Sequence, residues 1–100
     1  MRYIRVFWRH EHPDEPVELL SEVDDARWEV RKVERFRDGT VGWAIEDDSV
    51  GTTQLGLDPM PPLAEIANDP QFQAGEITRA EFELAWDAAR PSVRPATARP

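Results

Sequence analysis

His10 and His12 stand two residues apart, with Glu11, Asp14 and Glu15 beside them. On an extended backbone residues i and i+2 share a side, so both imidazoles could reach one metal ion. Two ligands without a third at fixed spacing do not define a site, however, and HEHPDEP with its two prolines reads first as a solvated loop. The carboxylate pairs Asp24/Asp25 and Asp47/Asp48 invite an acid–base reading. Adjacent side chains on a strand point to opposite faces, so each pair converges only in a loop, where turn formation and solubility explain it. Gly51 and Gly56 lack the strand–turn–helix setting of a phosphate loop, and Ser21, Ser49 and Ser92 sit in no nucleophile elbow. The chain has no cysteine, which excludes disulfides, thiolate nucleophiles and cysteine metal sites. No catalytic residue and no cofactor is expected; a small metal-binding or hydrolytic enzyme built on His10 and His12 is the first alternative.

Residues suited to binding are easier to find. Tyr3, Arg5, Phe7 and Arg9 share a parity in the first strand, opposite Ile4, Val6 and Trp8. An aromatic and arginine cluster on an outer sheet face has the composition of a binding hot spot. Cover by the loop at 10–16 or by a helix at 63–68 is the competing account of Tyr3 and Phe7. Between Arg27 and Arg37 basic and apolar residues interleave, which suggests stacking on single-stranded nucleic acid as a second alternative. Glu29 and Glu34 interrupt that row, and an acidic domain repels phosphates. The bases are instead expected to pair across the sheet with Glu29, Glu34 and Glu46.

Charge distribution says more than the net charge of −8. Residues 1–40 carry eight bases and ten acids, whereas residues 41–89 carry ten acids against Arg79 alone, a balance of −9. The last eleven residues add Arg90, Arg94 and Arg99. Such a one-signed field attracts basic partners, although a solubilising role for the same acids is the plainer account. Glu46, Asp47 and Asp48 are its densest run and join Tyr3, Arg5, Phe7, Arg9 and Arg31 as candidate binding residues.

The elements that must position these residues follow from periodicity. Residues 2–9 alternate as a strand, and charges inside that apolar run with no small-residue cleavage site argue against a signal peptide. No apolar run approaches the ~20 residues of a membrane span, so a cytoplasmic protein is expected. Val17–Val23 reads as a second strand. RWEVRKVERFRDGTVGWAIE at 27–46 reads as two strands joined at Asp38-Gly39. A two-residue turn pairs Phe36 with Val41; a three-residue turn with a Gly39 bulge pairs Val33 with Trp43. Because Val30 and Val33 differ in parity, a bulge near Arg31–Lys32 is expected, leaving one of those two aimed at solvent or a ligand.

Residues 47–52 read as a loop and 53–57 as a short edge strand. Asp58–Pro62, DPMPP, is a rigid connector before a short helix at 63–68. Thr78 and Glu81 form a capping box, Ile77 and Phe82 a staple, and Phe82, Ala85, Trp86 and Ala89 one helical face. The order predicts a single α+β domain over 1–90. An antiparallel sheet of four to five strands packs its apolar face on the C-terminal helix, with one short additional helix. Residues 91–100, PSVRPATARP, read as a disordered tail.

RYIRVFW at 2–8, DEPVELLSEVD at 14–24, ARWEVRKVERFRDG at 26–39 and LAEIANDPQFQAGEITRAEFELAW at 63–86 resemble a family of small bacterial proteins carrying a domain of unknown function. The resemblance spans about residues 2–88, brings no active site with it, and implies a link to toxin genes and an immunity or antitoxin-like role. Residues and resemblance together lead to the expectation of a non-catalytic protein-binding module whose partner is a basic protein such as a toxin. No membrane or nucleic acid is expected as a partner.

Overall fold

The computed structural model describes residues 1–90. Six strands form one antiparallel sheet: β1 (Arg2–Trp8), β2 (Pro16–Val23), β3 (Glu29–Phe36), β4 (Val41–Ile45), β5 (Asp48–Val50) and β6 (Phe72–Ile77). They lie in the order β5-β4-β3-β2-β1-β6. Helix α1 (Leu63–Ala67) precedes β6, and α2 (Arg79–Ala89) follows it. The class is α+β as expected, with six strands rather than four to five. The expected strand at 53–57 does not form; the edge strand is β5, drawn from the segment read as a loop. The other edge, β6, pairs with β1 through Trp8↔Phe72 and Tyr3↔Ile77.

The hairpin takes the longer turn. Phe36 N–H donates to the Thr40 carbonyl (2.9 Å), Gly39 has φ 92°, and Val33 pairs with Trp43. Asp38 closes the turn by accepting from the Thr40 N–H at 2.9 Å and its hydroxyl at 2.7 Å. The bulge falls at Val30, between the pairs Val23↔Glu29 and Glu22↔Arg31, one residue ahead of its expected place. That offset decides which way Arg31 points.

Both faces of the sheet are covered, which one apolar face and one helix did not anticipate. On the first face, α2 lies over Tyr3, Leu20, Val33 and Trp43 and inserts Phe82, Ala85 and Trp86. This is the face of Tyr3, Arg5 and Phe7, so the C-terminal helix packs on the side taken as outer. On the second face, Ile4, Val6 and Val23 meet Leu19, Met60, Leu63, Ile66, Phe72 and Ala74. Here the segment after β5 folds back with α1 as its roof.

Local chemistry fixes both covers. Thr78 Oγ1 accepts from the Glu81 N–H (3.1 Å), and the Glu81 carboxylate accepts from the Thr78 N–H (2.8 Å), so the capping box is complete. Thr78→Ala is expected to cost about 1 kcal/mol, read as a lower denaturation midpoint at unchanged m-value. On the opposite cover, Thr53 is buried against Gly42, where an added Cβ would lie 2.1 Å from Thr53 Oγ1 and 3.1 Å from the Val50 carbonyl oxygen. Thr53 donates to the buried Glu34 carboxylate at 2.9 Å. Burial pushes the Glu34 carboxyl above its ordinary range, and the Thr53 bond only partly offsets this. Gly42→Ala is therefore expected to lose about 1–3 kcal/mol by overpacking and to raise amide exchange across 51–55. Exchange there unchanged from the parent would show that the contact does not hold the segment.

Candidate binding cleft

The main concavity lies on the second face, between β1–β3 and the returning segment 56–69. It encloses about 690 Å³ and is lined by Val6, Trp8, Leu19, Met60, Ile66 and Phe72, with Leu57 at its lip. Leu57 is 89% exposed, whereas Ile4 and Val23 just beneath this layer are sealed. Trp8 and Phe72 stand with ring centroids 5.9 Å apart at a tilt of 38°, and the Trp8 indole N–H donates to the Gln71 side chain at 3.2 Å.

Arg27 builds the far wall. Its guanidinium donates to the carbonyls of Met60 and Pro61, each at 2.7 Å, and its own carbonyl accepts from the Met60 N–H at 2.7 Å. This residue has φ 70°, the only positive φ among the described non-glycine residues. An arginine there is unfavourable by about 1 kcal/mol or more, and the three bonds hold it in place. With Pro59, Pro61 and Pro62 alongside, the wall has few backbone freedoms left.

The floor is polar but closed. Glu29 accepts from Ser21 Oγ (3.2 Å), the Gly56 N–H (2.5 Å) and Lys32 Nζ (3.0 Å), and Lys32 also donates to the Gln54 carbonyl at 3.3 Å. Both charged side chains are largely buried and neutralise one another. The sign at the mouth is then set by Asp58, Glu65 and Asp69, for which no basic side chain lies within ion-pair distance among the described residues.

The residues picked from sequence lie elsewhere and do not form one site. Tyr3 is 7% exposed beneath Phe82, and its hydroxyl donates to Glu22 at 2.8 Å; it belongs to the core. Burial and that carboxylate push its phenol above the ordinary value. Neither the loop at 10–16 nor α1 provides the cover: α2 does. Arg31 is not aimed at solvent but lies under α2. It binds Glu22 (2.7 and 2.9 Å) and Glu83 (2.7 and 3.1 Å), with its guanidinium 4.9 Å from the Phe82 ring centroid and 5.1 Å from that of Trp86. Arg5 and Phe7 remain on an uncovered strip, the Arg5 guanidinium 5.2 Å above the ring, and Arg9 is exposed beyond the end of β1.

Glu46 and Asp47 make the two-residue β4–β5 turn, and Asp48 approaches Arg90 at 3.9 Å. They sit four strands away from β1, so the two groups cannot grip one small ligand. The expected ladder also differs: Lys32 does pair with Glu29, but Arg35 pairs with Glu18, Arg31 with Glu22 and Glu83, and Glu34 with Thr53. His10 and His12 stack at 5.4 Å. His10 Nδ1 accepts from the His12 N–H (3.0 Å), so its Nε2 carries the proton that is donated to the Pro16 carbonyl (2.7 Å). Both ring nitrogens of His10 are thus engaged, and no group of three metal-ligating side chains occurs among the described residues.

The cleft residues Leu57, Met60, Ile66 and Phe72, and the role of Arg27 in holding Met60 and Pro61, escaped the sequence reading. One signal was available: Leu57 and Met60 are large apolar residues on either side of Asp58-Pro59 in a connector with no period of its own, and something must receive them.

A small α+β domain with a two-faced sheet, an acidic surface and one apolar cleft is the class this architecture defines. The chain belongs to the family of the domain of unknown function DUF6881, whose profile matches residues 2–91. No curated protein and no solved structure matches it significantly. No helix among the described residues is long and apolar enough to cross a membrane.

Proposed function

We propose that this protein is a binding module without chemistry of its own, that its partner is a basic protein, and that an immunity or antitoxin-like inhibitor of a basic toxin is the form this takes. One observation carries the reading: none of the ten acids in residues 41–89 is buried. Only Asp48, Glu76 and Glu83 among them have a basic side chain within ion-pair distance among the described residues. Four of the bases are tied to the protein's own groups, although Arg2, Arg9, Arg37, Arg79 and Arg90 are exposed. Arg27 holds the returning segment, Arg31 and Lys32 sit in closed ion pairs, and Arg37 donates to the His10 carbonyl. The acids of residues 41–89 that no base reaches give the surface a field of one sign, and such a field accelerates encounter with a cationic surface.

The test is the on-rate for basic, catalytically inactivated toxin nuclease domains, measured from low to near-molar salt. Binding is expected with an on-rate that falls by about tenfold or more as ionic strength rises. An on-rate indifferent to salt, or turnover of any substrate traced to a side chain of this chain, would overturn the proposal.

A further inference from the structure

We infer that the cleft on the second face is the seat for a single apolar side chain presented by a basic segment of another protein, a leucine, methionine or aromatic residue flanked by arginine or lysine. This rests on the reading of a basic partner and adds where and how that partner is held.

The lining supplies the first half of the argument. Val6, Leu19, Met60, Ile66 and Phe72 offer an apolar surface under an open mouth, and the volume of about 690 Å³ falls in the range of ligand sites. Leu57 stands exposed over it with nothing to pack on among the described residues, the position of a lip that closes on an occupant. A small domain gains stability by sealing such surface, yet the Arg27 bonds and three prolines fix the backbone of the wall with the cleft still open. A wall fixed before binding loses little entropy when an anchor enters.

Charge supplies the second half. Inside, Glu29 and Lys32 cancel and their donors and acceptors are taken up by Ser21, Gly56 and Gln54, so the floor offers no free ion to a charged head group. Outside, at the rim, the three carboxylates of Asp58, Glu65 and Asp69 outnumber the guanidinium of Arg27, which is held on the Met60 and Pro61 carbonyls. A fatty acid, a phosphate ester or an anionic bilayer would bring its charge against that rim. A second copy of this chain, itself at −8, would meet the same repulsion. An apolar anchor with cationic neighbours satisfies both layers at once.

The probe is a capped pentapeptide, a central leucine between two pairs of arginines, titrated into the ¹⁵N-labelled full chain. Saturable shifts at the amides of Trp8, Leu57, Met60 and Phe72 are expected. Affinity should fall about tenfold when the central leucine becomes alanine, and by a similar factor for Asp58→Lys/Glu65→Lys. Met60→Lys should abolish the cleft shifts while leaving the amide spectrum elsewhere folded.

If the arginine peptide binds but shifts only the Glu46–Asp48 corner and ignores the leucine-to-alanine change, the cleft assignment falls and the basic-partner reading stands. If it does not bind even at low salt, both fall. Cleft shifts on anionic phosphatidylglycerol vesicles, or a dimer in sedimentation equilibrium that Leu57→Glu dissolves, would overturn the assignment in favour of a membrane or of a second copy.

Discussion

Trp86→Ala is expected to destabilise the domain by about 3–5 kcal/mol, a large part of the 5–15 kcal/mol that a domain of this size has to lose. The indole is 8% exposed and is engaged on several sides. It meets Trp43 edge-on at 5.9 Å and stacks near-parallel with Phe82 at 6.3 Å. The Arg31 and Arg90 guanidinium groups lie 5.1 and 5.9 Å from its ring centroid. Removing it opens a cavity between α2 and strands β3 and β4 and strips Arg31 of a ring against which it is desolvated. Neighbouring side chains cannot collapse into the gap, because Phe82 is already fully buried against Tyr3. Leu84→Ala on the same helix is the internal control. Leu84 is exposed, so its change should stay within about 0.5 kcal/mol. Guanidinium denaturation of both variants decides the matter; a Trp86 variant as stable as the Leu84 variant would mean that α2 does not hold the sheet.

How much of this was visible in the chain depends on how local each signal was. The α2 cap, its buried face and the Gly39 turn were legible because each is written within a few residues. Thr78 and Glu81 satisfy one another, and Asp38-Gly39 marks the turn, whereas its register, Val33 on Trp43, is decided only by the structure. The sixth strand was not legible. Phe72–Ile77 contains Gly75 and two polar residues, Gln73 and Glu76, and becomes a strand only by pairing with β1, nearly seventy residues away. Side assignment failed in β1 for a related reason. Ile4 and Val6 look like the buried face, and they are buried, but under α1 and the returning segment. Tyr3 looked outward because a hydroxyl and two neighbouring arginines suggest solvent. It is buried because Glu22, across the sheet, accepts its proton. The cleft was invisible because Arg27, Glu29 and Lys32 read as members of a strand row, while their partners Met60, Gly56 and Gln54 lie in a connector with no period of its own. The acidic balance, by contrast, was readable in full, and none of the acids of residues 41–89 is buried.

Arg31→Met is expected to cost about 2–4 kcal/mol at neutral pH, somewhat below the figure for a fully buried pair because Glu83 keeps partial access to water. The methionine preserves packing against Phe82 and Trp86, so the loss is chiefly electrostatic. In the parent, the Arg31 hydrogen bonds hold the Glu22 carboxyl below its ordinary value, opposed by burial and helped by the Tyr3 hydroxyl. Arg31 does the same to Glu83, and Arg79 lies near both acids. A carboxyl whose folded pKa is depressed adds stability above its unfolded pKa and gives it up as pH falls through the folded value. Without Arg31, burial is left as the main influence on Glu22, and its folded pKa should move above the unfolded one. The sign then reverses: Glu22 costs stability at neutral pH, and protonation removes that cost on acidification. The stability gap between parent and variant should therefore narrow steadily from pH 7 towards pH 4, from both sides at once. Glu22→Gln in the Arg31→Met background removes the orphaned charge while still accepting from Tyr3, and should recover most of the neutral-pH loss. Denaturation midpoints across that pH range read all three proteins. A gap that stays constant with pH would place the cost of Arg31→Met in packing instead of in the buried charge.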